Sequence, residues 1–589
     1  MVTFGIGEAI AVAQLAVQVV ELGQKCAESI ERWQAYGEDA GRIYLKFNHE
    51  NRRLKSLQHL LVDKDKIGLG KPLFELMEPQ QQKDVQYILM SVLKLLHGFQ
   101  DQAARYNLTK TQPGVAQNVP LSSLALDMQA LEDALPEMRR RDKWLQTTST
   151  FTTKWRWTFG AKTDAEKLVA GIREWLDLIT EEIDLQMSTL ANPAPPTGSL
   201  VRSSAVAGAH GSRWQTLEVD PDIIVLNLAK SMRIRNYVVQ LQATAQLPAQ
   251  PFPKHLLLDT ASIRVGTEVQ HNRHIASMTK GTTVVNGLVE FRPYRDSPDE
   301  IQRAMENLCM VLYEASEQSF RLPKPDGIFR QEGSEKRFGL FFPLSSIGAS
   351  GLDSIWTLQR ILAPSGKDQK PSIFKSPPLE ARFELALRLA TALCKTHSVG
   401  WYYQGLHSRN ICLITQSTGS TNAGASFDSP FLFGFTKSRA IDDSVSYDDG
   451  DIVANTHRHP DRWEPDPKRR HHALDDLYSL GVVLLEIGCW TGLPELLSSS
   501  KGRQELDLSS WTAHGVRNHL LKWAKSRLAH TMGTAYQSLV VALLQAHSED
   551  LDTLSWQSWP AHKRLLFVTG ALRELCSGLN TVLDMTVPT

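Results

Sequence analysis

Most residues whose types and spacing suit chemistry lie between Ala386 and Trp490. The turn Gly400-Trp401-Tyr402-Tyr403-Gln404-Gly405-Leu406-His407-Ser408-Arg409-Asn410 closes on a side-chain amide, which can ligate or hydrogen-bond. His407, Asp428 and Asp451 are the nearby groups able to move a proton. His457, His459 and His471 also stand close in sequence. Their spacing fits no usual ligand motif and no Cys or carboxylate cluster joins them, so no metal is expected. Ser438, Ser444, Ser446, Tyr447 and Thr456 have hydroxyls that could accept phosphate. Asp442-Asp443 and Asp448-Asp449 oppose added negative charge unless Arg439 or Arg458 answers it, and the plainer reading is a solvated loop.

Two elements must position these residues. One is the turn itself, running into the apolar, β-branched stretch Ile411-Cys412-Leu413-Ile414. The other is Asp475–Ile487, an apolar helix opened by paired acids, with Gly481 where a neighbour can pass closely. Together they resemble the large lobe of a protein kinase. Ser408–Ile414 matches the end of the catalytic loop and its following strand, and Asp476-Leu477-Tyr478-Ser479-Leu480-Gly481 matches the helix that anchors that loop. The resemblance covers roughly residues 215–582.

That resemblance implies an Asp five places before Asn410, to accept the substrate hydroxyl proton. Gly405 stands there. It also implies a metal-binding D-F-G, and Leu432-Phe433-Gly434 fits with Leu432 in place of the Asp. A hard cation wants oxygen ligands, which leucine lacks. Val289-Glu290-Phe291-Arg292 corresponds to the phosphate-gripping V-A-I-K, with Arg292 for Lys; an exposed strand arginine is the competing reading. Glu306, Glu300 and Glu314 are candidate partners for Arg292. No G-x-G-x-x-G precedes these strands, and Ile263–Glu268 offers a single Gly. Phe338–Pro343 resembles the strand leading to the adenine-seating hinge. If nucleotide binding survives, ATP is the implied ligand, with Arg292 and Asn410 as its binding residues.

The chain has 589 residues, enough for two or three domains, and equal numbers (64 each) of basic and acidic residues. Zero net charge argues against a generally electrostatic nucleic-acid binder, with Lys468–His472 read as a solvated basic loop. Six scattered cysteines without a C-x-x-C pair suit a reducing compartment. No basic region precedes the apolar Phe4–Leu22, and the uncharged core Ala9–Val20 is short for a spanning helix. A cytoplasmic protein is expected, associated with the plasma membrane once activated.

Residues 1–190 read as helices throughout. Helical spacing runs from Ile6 through Val20 and continues through Cys26, Ile30 and Trp33; further stretches are Tyr44–Leu61, Asp84–Phe99, Leu121–Met138 and Asp164–Leu190, the last opened by a Thr163-x-x-Glu166 capping box. The opening apolar helix and Trp155-Arg156-Trp157-Thr158-Phe159 resemble the fungal prion-inhibition-and-propagation helical domain, HeLo. The likeness implies a cell-death effector bundle whose first helix enters membrane on activation. Pro- and Ser-rich residues 191–213 read as a flexible linker. Residues 214–345 read as a small lobe, with a hairpin turn at Asn286-Gly287, and 346–589 as a degenerate large lobe.

The expected architecture is therefore an all-α bundle followed by an α+β two-lobed kinase-like fold. The resulting function is a fungal effector in heterokaryon incompatibility or defence, in which a pseudokinase regulates a bundle that oligomerises and engages membrane through Phe4–Leu22. Its partners would be proteins, such as an upstream receptor or kinase. Two alternatives stay open: a kinase using atypical residues, and a non-enzymatic adaptor.

Overall fold

The computed structural model describes residues 6–31, 38–66, 70–77, 79–105, 154–191, 220–226, 228–243, 252–270, 272–294, 298–315, 320–332, 336–362, 376–399, 401–414, 427, 429–435, 439–440, 456–463, 471, 473–497, 512–545, 564, 568–572 and 575. The expected helix Leu121–Met138, the linker 191–213 apart from its first residue, and nearly all the phosphate-accepting hydroxyls lie outside them. The chain forms two compact units. Met1–Leu190 and Ser212–Met232 make the first, and Ala191–Gly211 and Arg233–Thr589 the second.

The first unit is helical. Its long helices are α1 (Ile6–Glu31), α2 (Glu38–Val62), α3 (Pro79–Arg105) and α4 (Lys154–Ala191). Apolar residues at helical spacing put Val12, Leu15, Ala16, Val19, Cys26 and Ile30 of α1 inside, where α1 packs on α2 and α3. Burial pushes the Cys26 thiol up to about 12, so it stays a neutral core group. Between α2 and α4, the buried Glu50 carboxylate receives Arg53 at 3.0 Å and Arg173 at 2.8 Å. Helix α4 begins at Lys154, so Thr163 lies inside it and does not cap it. The capping-box pattern is local, and the preceding turns continued the helix through it.

The chain returns to this unit after residue 219. Asp220 caps the short helix Pro221–Val225 by accepting from the Asp222 amide at 2.9 Å. Lys66 reaches Asp220 at 3.0 Å and Asp222 at 2.6 Å, while Ile223, Leu226, Leu228 and Met232 are buried. The sequence-based division assigns Pro221–Val225 to the small lobe; it packs against α2.

The second unit mixes antiparallel sheets and helices. Strands β1 (Ile263–Gln270), β2 (Arg273–Lys280), β3 (Thr283–Pro293), β4 (Gly327–Gln331) and β5 (Arg337–Pro343) form a sheet in the order β1-β2-β3-β5-β4. The helix Ala229–Ala243 (α5) precedes this sheet, and α6 (Pro298–Glu314) falls between β3 and β4. The expected Asn286-Gly287 hairpin is not a turn. Both residues lie inside β3, and the turns fall at Asn272 and Gly281, each with φ of 60°. Gly287 is required for another reason: a Cβ there would stand 2.6 Å from Cζ of Phe341 on the neighbouring strand.

The rest of this unit is mainly helical around a buried helix. Its elements are α7 (Leu379–Ser398), α8 (Ala473–Cys489), α9 (Ala513–Met532) and α10 (Thr534–Leu544). Short strands β6 (Ile355–Thr357), β8 (Ile411–Ile414) and β9 (Phe431–Leu432) pair in the order β6-β8-β9, and β7 (Trp401–Tyr402) pairs with β10 (Arg439–Ala440). Helix α8 is buried from Asp475 to Gly488, as its unbroken apolar run requires. Gly481 admits α10, because a Cβ there would approach Leu543 Cβ to 2.8 Å.

Candidate functional site

Register builds the site. Pairing of β2 with β3 sets Arg273 opposite Glu290, so the two charged side chains share a sheet face away from the Ala276, Val289 and Phe291 core. Arg273 Nη2 donates to Glu290 Oε1 at 2.8 Å, and Nε donates to the same oxygen at 3.0 Å. Both side chains are buried, about 5% and 3% exposed. Burial works against the Arg273 charge, but the adjoining Glu290 carboxylate outweighs it and raises the guanidinium's pKa.

The loops deliver the other partners. Gly434 has φ of +86°, a left-handed conformation in which consecutive amides converge. The Gly434 N–H donates to Glu290 Oε1 at 2.6 Å and the Phe435 N–H to Oε2 at 3.1 Å. A side chain at 434 would also collide with Asn410. Asn410 Oδ1 accepts from Arg273 Nη2 at 3.0 Å, and its Nδ2 donates to the Gly405 carbonyl at 2.9 Å. His407 Nε2 lies 3.1 Å from that Nδ2. The Arg273 guanidinium covers the Phe433 ring at 4.7 Å.

Helix α8 holds the turn from below. Asp476 Oδ2 accepts from the Tyr403 N–H at 3.1 Å, and Oδ1 accepts from the Gln404 N–H at 3.0 Å. His397 Nε2 meets Oδ2 at 2.8 Å, and His471 Nε2 stands 3.2 Å from Oδ1. Burial opposes ionisation, yet these partners hold the Asp476 carboxyl well below its usual range. The Tyr403 hydroxyl donates to the Phe433 carbonyl, tying the turn to the Leu432–Phe435 segment. Burial, then the Glu290 charge, raises its pKa well above the ordinary phenol value. The Cys412 thiol is pushed up to about 11 by burial.

Among the residues read from sequence, Asn410, Gly405 and Gly434 come together. Leu432 is buried in β9, paired with Ile411. Arg292 sits two places beyond Glu290 on β3, largely buried and opposite Phe338, which sets aside the exposed-arginine reading. Glu306 accepts from Gln302 at 2.8 Å. Sequence reasoning missed Arg273 and gave Glu290 no role. The available signal was charge inside strand-like apolar runs, with Glu290 between Val289 and Phe291. Among the described residues, no three His, Cys, Asp or Glu side chains converge as metal ligands, and no helix is long and apolar enough to cross a membrane.

Chemically, the cluster is a self-satisfied charge centre. The guanidinium and loop amides that could receive a phosphate are bonded to Glu290, and the carboxylate that could receive a cation is bonded to them. No curated protein matches the chain. Residues 5–193, which span the four long helices of the first unit, match the HeLo family, described as prion-inhibition and propagation.

Proposed function

We propose that the second unit is a protein-kinase-like domain without phosphotransfer chemistry. It governs the HeLo bundle of the first unit in a fungal cell-death or incompatibility response. The sheet order β1-β2-β3-β5-β4 with a helix between β3 and β4 supports this reading. So does the Asp476 carboxylate beneath the Tyr403-Gln404 amides, at 3.1 and 3.0 Å. In this reading the bundle oligomerises and engages membrane when a protein partner relieves the second unit's restraint, a bias of a few kcal/mol being sufficient.

The observation that carries the proposal is the Arg273–Glu290 pair, seated on the Gly434 and Phe435 amides and on Asn410. Together with an apolar Leu432 and a Gly405 lacking a side chain, it does not fit a Mg²⁺-nucleotide. The test is a thermal-shift titration of the full chain with ATP, with and without Mg²⁺, alongside transfer from labelled ATP. No Mg²⁺-dependent stabilisation and no transfer are expected. Transfer abolished by Asn410→Ala would establish an atypical kinase instead.

A further inference from the structure

We infer that the second unit contains an oxyanion-binding site which its own Glu290 occupies. The site consists of the Gly434 and Phe435 amides and the Arg273 guanidinium, and its ligand class is a small oxyanion such as a carboxylate or phosphate. The inference stands on hydrogen-bond geometry, and it survives even if the unit proves unrelated to kinases.

Three observations carry it. First, the two amides are consecutive and aim at one carboxylate, with N···O distances of 2.6 and 3.1 Å. A left-handed residue in a loop makes such a concavity, and concavities of this kind hold anions across unrelated folds. Second, the cationic wall is built in. Arg273 is buried, fixed by strand register, and contacts the same oxygen twice, at 2.8 and 3.0 Å. Its Nη2 also donates to Asn410 Oδ1 at 3.0 Å and its Nη1 reaches the Arg409 carbonyl at 3.5 Å, contacts that do not involve Glu290. Third, the occupant comes from β3, 144 residues away from the loop that receives it. Glu290 is not part of the concavity's own backbone, so removing its carboxylate leaves the donors standing.

The rim gives access. Asn410, His407 and Gly434 are only half-buried, although Glu290 and Arg273 lie inside. Truncation at Glu290 therefore opens a polar, positively biased cavity beneath a partly exposed edge. Donors that have lost the Glu290 carboxylate in such a cavity recruit an anion from solution.

The experiment follows the thermal unfolding of full-length Glu290→Ala in sodium phosphate, in formate and in chloride at equal ionic strength. The wild type and Arg273→Ala/Glu290→Ala serve as references. Glu290→Ala is expected to melt lower than wild type in chloride, and to recover by about 2 °C or more at ten times the phosphate dissociation constant. The references should gain less, since phosphate stabilises any fold slightly through exclusion. Equal gains in all three proteins, or none in Glu290→Ala, would overturn the inference. If Glu290→Ala does not fold unaided, its refolding yield is the readout: a larger gain from chloride to phosphate than Arg273→Ala/Glu290→Ala shows supports the inference, and an equal or smaller gain overturns it. ADP provides the second arm. Stabilisation of Glu290→Ala by ADP beyond that by phosphate assigns the site to a nucleotide's phosphate, and equal or smaller stabilisation assigns it to the free oxyanion.

Discussion

Asn410, a nucleotide-binding candidate in the sequence, is tied into the fold: its oxygen receives Arg273, and its nitrogen donates to the Gly405 carbonyl. The pair beside it behaves as buried charges do. Taking either partner away leaves an uncompensated charge, which typically costs about 3–5 kcal/mol, whereas removing both costs much less than the sum. Arg273→Met and Glu290→Leu are therefore each expected to lower the second unit's unfolding free energy by about that amount. The double variant should recover most of the loss, as read by a urea-denaturation cycle. Additive losses would mean the two side chains stabilise independently. The charged pair was not legible from sequence, although Asn410 and Gly434 beside it were. Arg273 and Glu290 are 17 residues apart and become partners only through the β2–β3 register. The amides that receive Glu290 depend on a loop conformation no motif announces.

At the scale of elements, sequence patterns served best where burial is one-sided or complete. The run Asp475–Ile487 announced α8, and Gly481 announced the close passage of α10. They failed where a local signal competed with long-range packing. Asn286-Gly287 reads as a turn, but β5 needs Gly287 inside a strand. Helix α8 also yields a pH prediction. Against burial, which favours the neutral acid, the facing His471 and His397 hold the Asp476 carboxyl below its ordinary 3.8. Its contribution is complete above that ordinary value and disappears as pH falls through the folded-state value. Asp476→Asn should therefore be destabilising at neutral pH, and the gap from wild type should narrow as pH falls below about 3.8. A gap that stayed constant down to about pH 2 would refute this linkage.

At the scale of the whole molecule, the HeLo match stops at residue 193, but the first unit does not. Residues 220–232 return to complete it through the Lys66 ion pairs and four buried apolar side chains. No periodicity warns of this return, since Pro221–Val225 is too short for a pattern to register. If the bundle acts by release, weakening α2 should expose the intact apolar face of α1. Leu54 is buried and lies against Gly23 of α1. Leu54→Asp puts a charge there at a cost of several kcal/mol. In vesicle flotation, the full-length wild type is expected to stay unbound and Leu54→Asp to float with the lipid. A variant that unfolds locally yet stays unbound would favour the adaptor reading.

Gly405 fits closely beneath the next loop. A β-carbon at 405 would approach the Gly434 carbonyl oxygen to 2.7 Å, against backbone that cannot swing aside like a flexible side chain. An aspartate at that place would push on the segment that grips Glu290. A side chain at 405 is thus accommodated only if this loop takes a different shape.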